Sequence, residues 1–117
     1  MIILGNGIDI IEIKRISAAI DRRPRLILHI FTEAEQKYFA IKKNNPQTIA
    51  GCFAAKEAVV KALGIGFRNV KPSDVELTWD SLGKPIARVK KFSNIVFLTS
   101  ISHSKEYAVA SVIAIKE

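Results

Sequence analysis

The stretch GCFAAKEAVVKALGIG, residues 51–66, consists mostly of Ala, Val, Leu and Phe. That is the composition of a helix buried around most of its circumference. Asn45 upstream is a good side-chain cap and Pro46 suits a first helical position, while Gly64 and Gly66 supply the stop. The spacing predicts one long helix over 46–63. A helix this apolar must be covered by other elements, which the remainder of the chain has to provide. Three charges interrupt the helix: Lys56, Glu57 and Lys61.

Working outward, IILGNGIDIIEI (2–13) reads as a strand carrying Gly5 and Gly7 and leading into Asp9. From Glu12 the period turns helical, with Ile13, Ile16 and Ile20 on one face, and Pro24 ends the run. Thr32 with Glu35 forms a capping box for a helix through Tyr38 and Phe39 to about Ile41. On the C-terminal side, DVELTWD alternates as a half-buried strand, DSLGKP is a turn and IARVK its partner strand. IVFLTSI and YAVASVIAI are almost continuously apolar and are separated by SHSKE, which predicts a hairpin of two buried antiparallel strands. The fold class is therefore α+β: one domain over 1–117, its long helix packed on a mainly antiparallel sheet.

The 117 residues are 49% hydrophobic and 25% charged, enough for a real core, and the net charge is +7. Such a chain attracts polyanions: nucleic acid, anionic lipid, phosphorylated ligands or an acidic protein. The arginines lack interleaved exposed aromatics and no helix-turn-helix pattern stands out, which argues against a small basic nucleic-acid-binding domain. Neither GNGIDI nor GIGF makes a nucleotide fingerprint, and no Walker A lysine is present. Cys52 is the single cysteine, so no intramolecular disulfide forms. No apolar run reaches the length of a membrane span and the start does not read as a signal peptide. A cytoplasmic setting without membrane insertion is expected.

Three polar outliers break the pattern. Glu57 and Lys61 are four apart and share a helix face; by themselves they read as an ordinary helix ion pair, worth roughly 0.2–0.5 kcal/mol. Phe53 and Ala54 make the surroundings apolar, so a partly buried Glu57 needs a cation, and a metal ion is a candidate. Asp9 reads first as a strand-end carboxylate capping the next helix. Joined with Glu57, it would give the two carboxylates around which a Mg²⁺ site on a phosphorylated substrate is commonly built. His103, among Ser100, Ser102 and Ser104, reads as a polar turn residue or as a phosphate contact. Cys52, without an activating partner, reads as core.

Together GNGIDIIEIKRI, FTEAEQKYF, FAAKEAVVKALGIG, GKP and SISHSKEYAVA resemble the holo-acyl-carrier-protein synthases, the short bacterial-type 4′-phosphopantetheinyl transferases. The segments come in that family's order and span nearly the whole chain. The resemblance implies transfer of 4′-phosphopantetheine from coenzyme A to a serine of apo acyl carrier protein, with release of adenosine 3′,5′-bisphosphate. It implies Mg²⁺ on Asp9 and Glu57, with Glu57 and Lys61 as catalytic groups and Lys61 on the substrate's phosphates. Coenzyme A would also meet Gly64, Ser102, His103 and Ser104. Cys52 and Asn44 occupy positions where relatives carry basic residues for the 3′-phosphate, and Lys42 and Lys43 are the cations that can replace them. The resemblance further implies a homotrimer with active sites between subunits, YAVASVIAI at the three-fold contact, and Asp9 and Glu57 contributed by different subunits. An acidic carrier protein would dock on Arg15, Arg22, Arg25 and Leu26, steered by Lys14 and Arg23. The competing reading within the same resemblance is an inactive trimeric module that binds coenzyme A or carrier protein.

Overall fold

Hydrophobic alternation in the first eleven strand residues and the abrupt change of period after Glu12 produce β1 (Ile2–Glu12) running directly into α1 (Ile13–Arg22). The computed structural model describes residues 1–64 and 69–117. A short helix, α2 (Leu26–Ile30), follows; the sequence reading did not foresee it, because five residues carry too little periodicity to announce a helix. Then come α3 (Glu33–Ile41) and α4 (Pro46–Leu63). After a 3-10 turn at Pro72–Asp74 the chain forms β2 (Val75–Trp79), β3 (Pro85–Val89), β4 (Ile95–His103) and β5 (Tyr107–Lys116). The five strands form one sheet in the order β1-β5-β4-β3-β2, with every neighbouring pair antiparallel. The expected α+β architecture is what the chain adopts.

The predicted caps are in place. Thr32 N–H donates to Glu35 Oε1 at 2.8 Å and Glu35 N–H to Thr32 Oγ1 at 3.3 Å, closing the capping box of α3. Asn45 Oδ1 accepts from Gln47 N–H at 2.9 Å at the start of α4. Gly64 ends α4 at φ 75°, a left-handed geometry that a side chain would strain. Gly66, the second expected stop, lies outside the described residues.

α4 lies across one face of the sheet, against β1, β5 and β4, with α1 flanking it. The inward side chains of β5 are Ala108, Ala110, Val112 and Ala114, all buried and mostly small, so the helix can sit close. β1 comes closer still. A Cβ on Gly5 would lie 2.5 Å from the Ala62 carbonyl oxygen, and one on Gly7 would overlap the Ala58 oxygen and lie 2.7 Å from Ala62 N. Only glycine permits this backbone-to-backbone contact. Because Gly5 meets Ala62 and Gly7 meets Ala58, β1 runs antiparallel along the helix.

Among the described residues, helices cover one face of the sheet only. The last two strands were expected to be buried on both faces, but within one chain they alternate. Phe97, Thr99, Ala108, Ala110 and Val112 face α4, while Val96, Leu98 and Ile113 face out. Ile8 and Ile10 of β1 join that outer face at 62% and 64% exposure. The near-continuous apolar pattern therefore describes two faces of which the single chain covers one, and an exposed apolar area of this kind marks an interaction surface.

Candidate active site

From Ile49 to Ala62 every residue of α4 is buried except Phe53, Glu57 and Lys61. Their spacing of four places them on one line along the helix. The contact of Gly5 and Gly7 with α4 lays β1 along the helix, and Asp9, two residues beyond Gly7, is on the same helix-facing side of the strand. Lys61 Nζ donates to Asp9 Oδ1 at 3.1 Å and to the Ile8 carbonyl at 3.0 Å. The Asp9 side chain is 17% exposed and that of Lys61 54%.

This overturns two expectations. Lys61 makes its contact ion pair across to Asp9 and not along the helix to Glu57, because the close approach of β1 puts a nearer carboxylate and a carbonyl beside its ammonium. Asp9 does not cap α1 either: the N-cap is Glu12, with no side-chain cap bond, and Asp9 sits well inside β1 opposite Ala110. A third expectation also changes. Asp9 and Glu57 were assigned to different subunits, yet a single chain brings them together, since both belong to the β1–α4 contact.

Glu57 feels this arrangement. Burial pushes its carboxyl pKa up, the Asp9 carboxylate pushes it further, and Lys61 opposes both. Two carboxylates thus share one ammonium at the edge of the core. Hard oxygen donors open to solvent on one side are the donor set Mg²⁺ accepts, leaving its other positions to water and phosphate oxygens. The residues present fit that ion. Among the described residues no cluster of three or more His, Cys, Asp or Glu offers a denser metal site.

Other predicted groups lie elsewhere. His103 is the last residue of β4, paired with Ala108, and not in the turn as expected; the hairpin closes over Ser104–Glu106 instead. It stands two strands from Asp9 and two residues nearer the hairpin tip, about 12 Å away by strand geometry. Ser102 and His103 are exposed. Ser104 is occupied by the turn: its Oγ accepts from Tyr107 N–H at 3.1 Å and Glu106 N–H at 3.3 Å, and its carbonyl accepts from Gln47 Nε2 at 3.1 Å. Lys42 and Lys43 precede α4, Lys42 lying over the Tyr38 ring, whereas Lys61 and Gly64 are at its far end. Fifteen helical residues, 46–60, lie between Lys43 and Lys61, about 22 Å along the axis. Cys52 is 1% exposed, and burial and then Glu35 push its thiol pKa up, so it is core as read.

The basic segment is exposed at Arg15, Arg22, Arg23 and Arg25. Arg23, Pro24, Arg25, Leu26 and His29 line an open groove of about 610 Å³. Leu26 is half-buried; Leu28, which sequence reasoning missed, is 63% exposed and is the more available apolar group. The unforeseen α2 is what turns Leu28 outward. A larger cavity of about 680 Å³ between β3 and β4 contains none of the predicted site residues.

A family model described as the 4′-phosphopantetheinyl transferase superfamily matches residues 5–112. The chain belongs to this family. It is 47% identical over 116 residues to the holo-[acyl-carrier-protein] synthase of Clostridium tetani (strain Massachusetts / E88), covering 92% of each protein. It is 50% identical over 121 residues to that of Alkaliphilus metalliredigens (strain QYMF), covering 96% of this chain and 98% of the relative. Among solved structures, the Bacillus anthracis holo-(acyl-carrier-protein) synthase in complex with CoA (3′,5′-ADP) superimposes with a TM-score of 0.86 at 38% identity, covering 100% of both chains. The Helicobacter pylori holo-[acyl-carrier-protein] synthase in complex with coenzyme A gives 0.84 at 28% identity, covering 94% of this chain and 99% of that one. The resemblance drawn from the motifs is thus borne out for the family and the fold.

Proposed function

We propose that this chain is a holo-acyl-carrier-protein synthase, moving 4′-phosphopantetheine from coenzyme A to a serine of apo acyl carrier protein with Mg²⁺. The observation that carries the reading is the line Phe53, Glu57 and Lys61 on an otherwise buried helix, met by Asp9 through the glycine contact of β1. The names of the relatives and the coenzyme A complexes of the structural neighbours support the same substrates.

In the transfer the serine oxygen bonds to the pantetheine-side phosphorus as the bridging P–O bond breaks, and adenosine 3′,5′-bisphosphate leaves. Mg²⁺ on Asp9 and Glu57 would offset charge on the pyrophosphate oxygens. Lys61, on a flexible and half-exposed stem, brings an ammonium to the departing oxygen and can donate a proton to it. The serine proton would pass to Glu57, directly or through water.

The site is completed between subunits of a homotrimer. Lys42 and Lys43 lie about 22 Å along α4 from Lys61 within one chain, and the outer sheet face of Ile8, Ile10, Leu98 and Ile113 offers an apolar contact for a second copy. The acidic carrier protein docks on Arg15, Arg22 and Arg25, with Leu26 and Leu28 as apolar contacts. A cytoplasmic location suits these substrates and the free, buried thiol of Cys52; among the described residues no helix is long and apolar enough to cross a membrane.

The test is intact-mass spectrometry of an apo acyl carrier protein incubated with this protein, coenzyme A and Mg²⁺, beside a sample with excess chelator. A phosphopantetheine-sized gain only with metal is the expected result. No gain with several carriers, alongside retained coenzyme A binding, would leave the inactive binding module in its place.

A further inference from the structure

Glu57 owes its position to a neighbour that the transfer chemistry does not touch. One residue earlier and about 100° around the axis, Lys56 points into the core, and its side chain and that of Glu35 are both fully buried. Lys56 Nζ donates to Glu35 Oε1 at 2.7 Å, to the Pro72 carbonyl at 2.8 Å and to the Val75 carbonyl. Three acceptors match the three N–H bonds of an ammonium. Glu35 in turn accepts from Thr32 N–H at 2.8 Å and from Leu77 N–H at 2.7 Å. The start of α3, the middle of α4 and the entry into β2 therefore converge on one buried ion pair.

An ion pair is a poor way to stabilise a core, since apolar residues of similar volume often do as well or better. What it adds is direction. A leucine in this place tolerates a small slide or rotation of α4; an ammonium with three fixed acceptors does not. Successive helical residues are about 100° apart around the axis, so pinning Lys56 sets the azimuth of Glu57. On the other side of the helix, Gly5 and Gly7 press the backbone of β1 against Ala58 and Ala62. Glu57 sits between these two anchors, held in rotation by one and in distance from Asp9 by the other.

We propose that the buried Lys56–Glu35 pair is a positioning device for the carboxylates: it fixes the rotation of α4 and thereby the separation of Glu57 from Asp9 that a divalent cation needs. This rests on the reading of Asp9 and Glu57 as metal ligands. Lys56 and Glu35 are not catalytic residues, since both are sealed from solvent.

The test uses the double variant Glu35→Gln with Lys56→Met, which removes both charges together, keeps an acceptor for Leu77 N–H and retains the volume. Mn²⁺ uptake is read from the electron paramagnetic resonance of the free ion, with coenzyme A present and no carrier protein, at a temperature where parent and variant are both fully folded. The expected result is Mn²⁺ affinity about tenfold weaker than in the parent, with metal-free coenzyme A binding unchanged by calorimetry. A merely structural pair would lower the unfolding midpoint without moving Mn²⁺ affinity, and a folded double variant with parental Mn²⁺ affinity overturns the proposal. Should the double variant not fold, Glu35→Asp carries the test, because it keeps the charge but draws Lys56 one methylene away: weakened Mn²⁺ binding supports the proposal and parental binding overturns it. If the parent binds no Mn²⁺, and Asp9→Asn behaves like the parent, the metal reading itself fails and the proposal falls with it.

Discussion

α4 carries two ionic groups of opposite character within six residues. Lys56 is sealed in the core, and each of its N–H bonds has an acceptor. Lys61, a little over one turn on, is half-exposed and shared by a structure that holds two carboxylates, Asp9 and Glu57. The first group is saturated and can only hold structure. The second has more negative charge than its own cation balances, so it has capacity for a ligand. Residue type does not separate the two, since both pair a lysine with a carboxylate; the degree to which the fold completes them does.

This contrast can be broken from either side. Removing Lys56 alone (Lys56→Met) strands the Glu35 carboxylate in the core and should cost about 3–5 kcal/mol of stability, measured by urea unfolding, whereas Lys61→Met should leave the unfolding midpoint nearly unchanged. At the open group the loss should be in turnover. Glu57→Gln and Asp9→Asn are each expected to lower metal-dependent carrier modification by about 10²–10³-fold, read by intact mass, with the oligomer unchanged by light scattering. Full activity in either variant would remove that carboxylate from the site.

Gly7→Ala sharpens the comparison by disturbing the contact that joins the two groups. Its Cβ meets the Ala58 carbonyl, so α4 or β1 must shift, at about 1–3 kcal/mol, and turnover should fall together with stability. Reversing charge at Arg22→Glu with Arg25→Glu leaves both ionic groups alone; it should raise KM for the carrier protein about tenfold, or about 1.4 kcal/mol, and the effect should shrink as salt screens it. The smallest effect concerns pH. The folded protein raises the Glu57 pKa, so it binds the proton more tightly than the unfolded chain does, and ionised Glu57 costs the metal-free fold some stability. That cost is absent below the ordinary carboxylate pKa and grows as pH rises to the raised value. Glu57→Gln should therefore unfold slightly later than the parent at neutral pH and at the same temperature near pH 4, followed by calorimetry without metal.

Much of this was legible in the order of residues. The capping box of Thr32 and Glu35, the Asn45–Pro46 start and the Gly64 stop are local signals, and each is realised. The strands carry a period that needs no partner to be recognised. The short α2 was missed because its turn-and-a-half has no period, and Leu28 was missed with it. Glu35 was read only as a cap because its second role depends on Lys56, 21 positions away along the chain. His103 was placed in a turn because a hairpin's last paired row cannot be told from its loop by composition.

By itself the sequence determined the longer elements, the family-specific motifs and the residue types from which a metal and phosphate site can be made. The tertiary structure decided which lysine is buried and which is free, that Lys61 turns to Asp9, and that a single chain unites Asp9 with Glu57. The physical reason is that burial and charge pairing depend on distances between residues far apart along the chain, from 16 positions for Lys56 and Pro72 to 52 for Lys61 and Asp9. Here those distances are set by two glycines that let a strand lie against a helix backbone and by one buried ammonium that keeps the helix from turning.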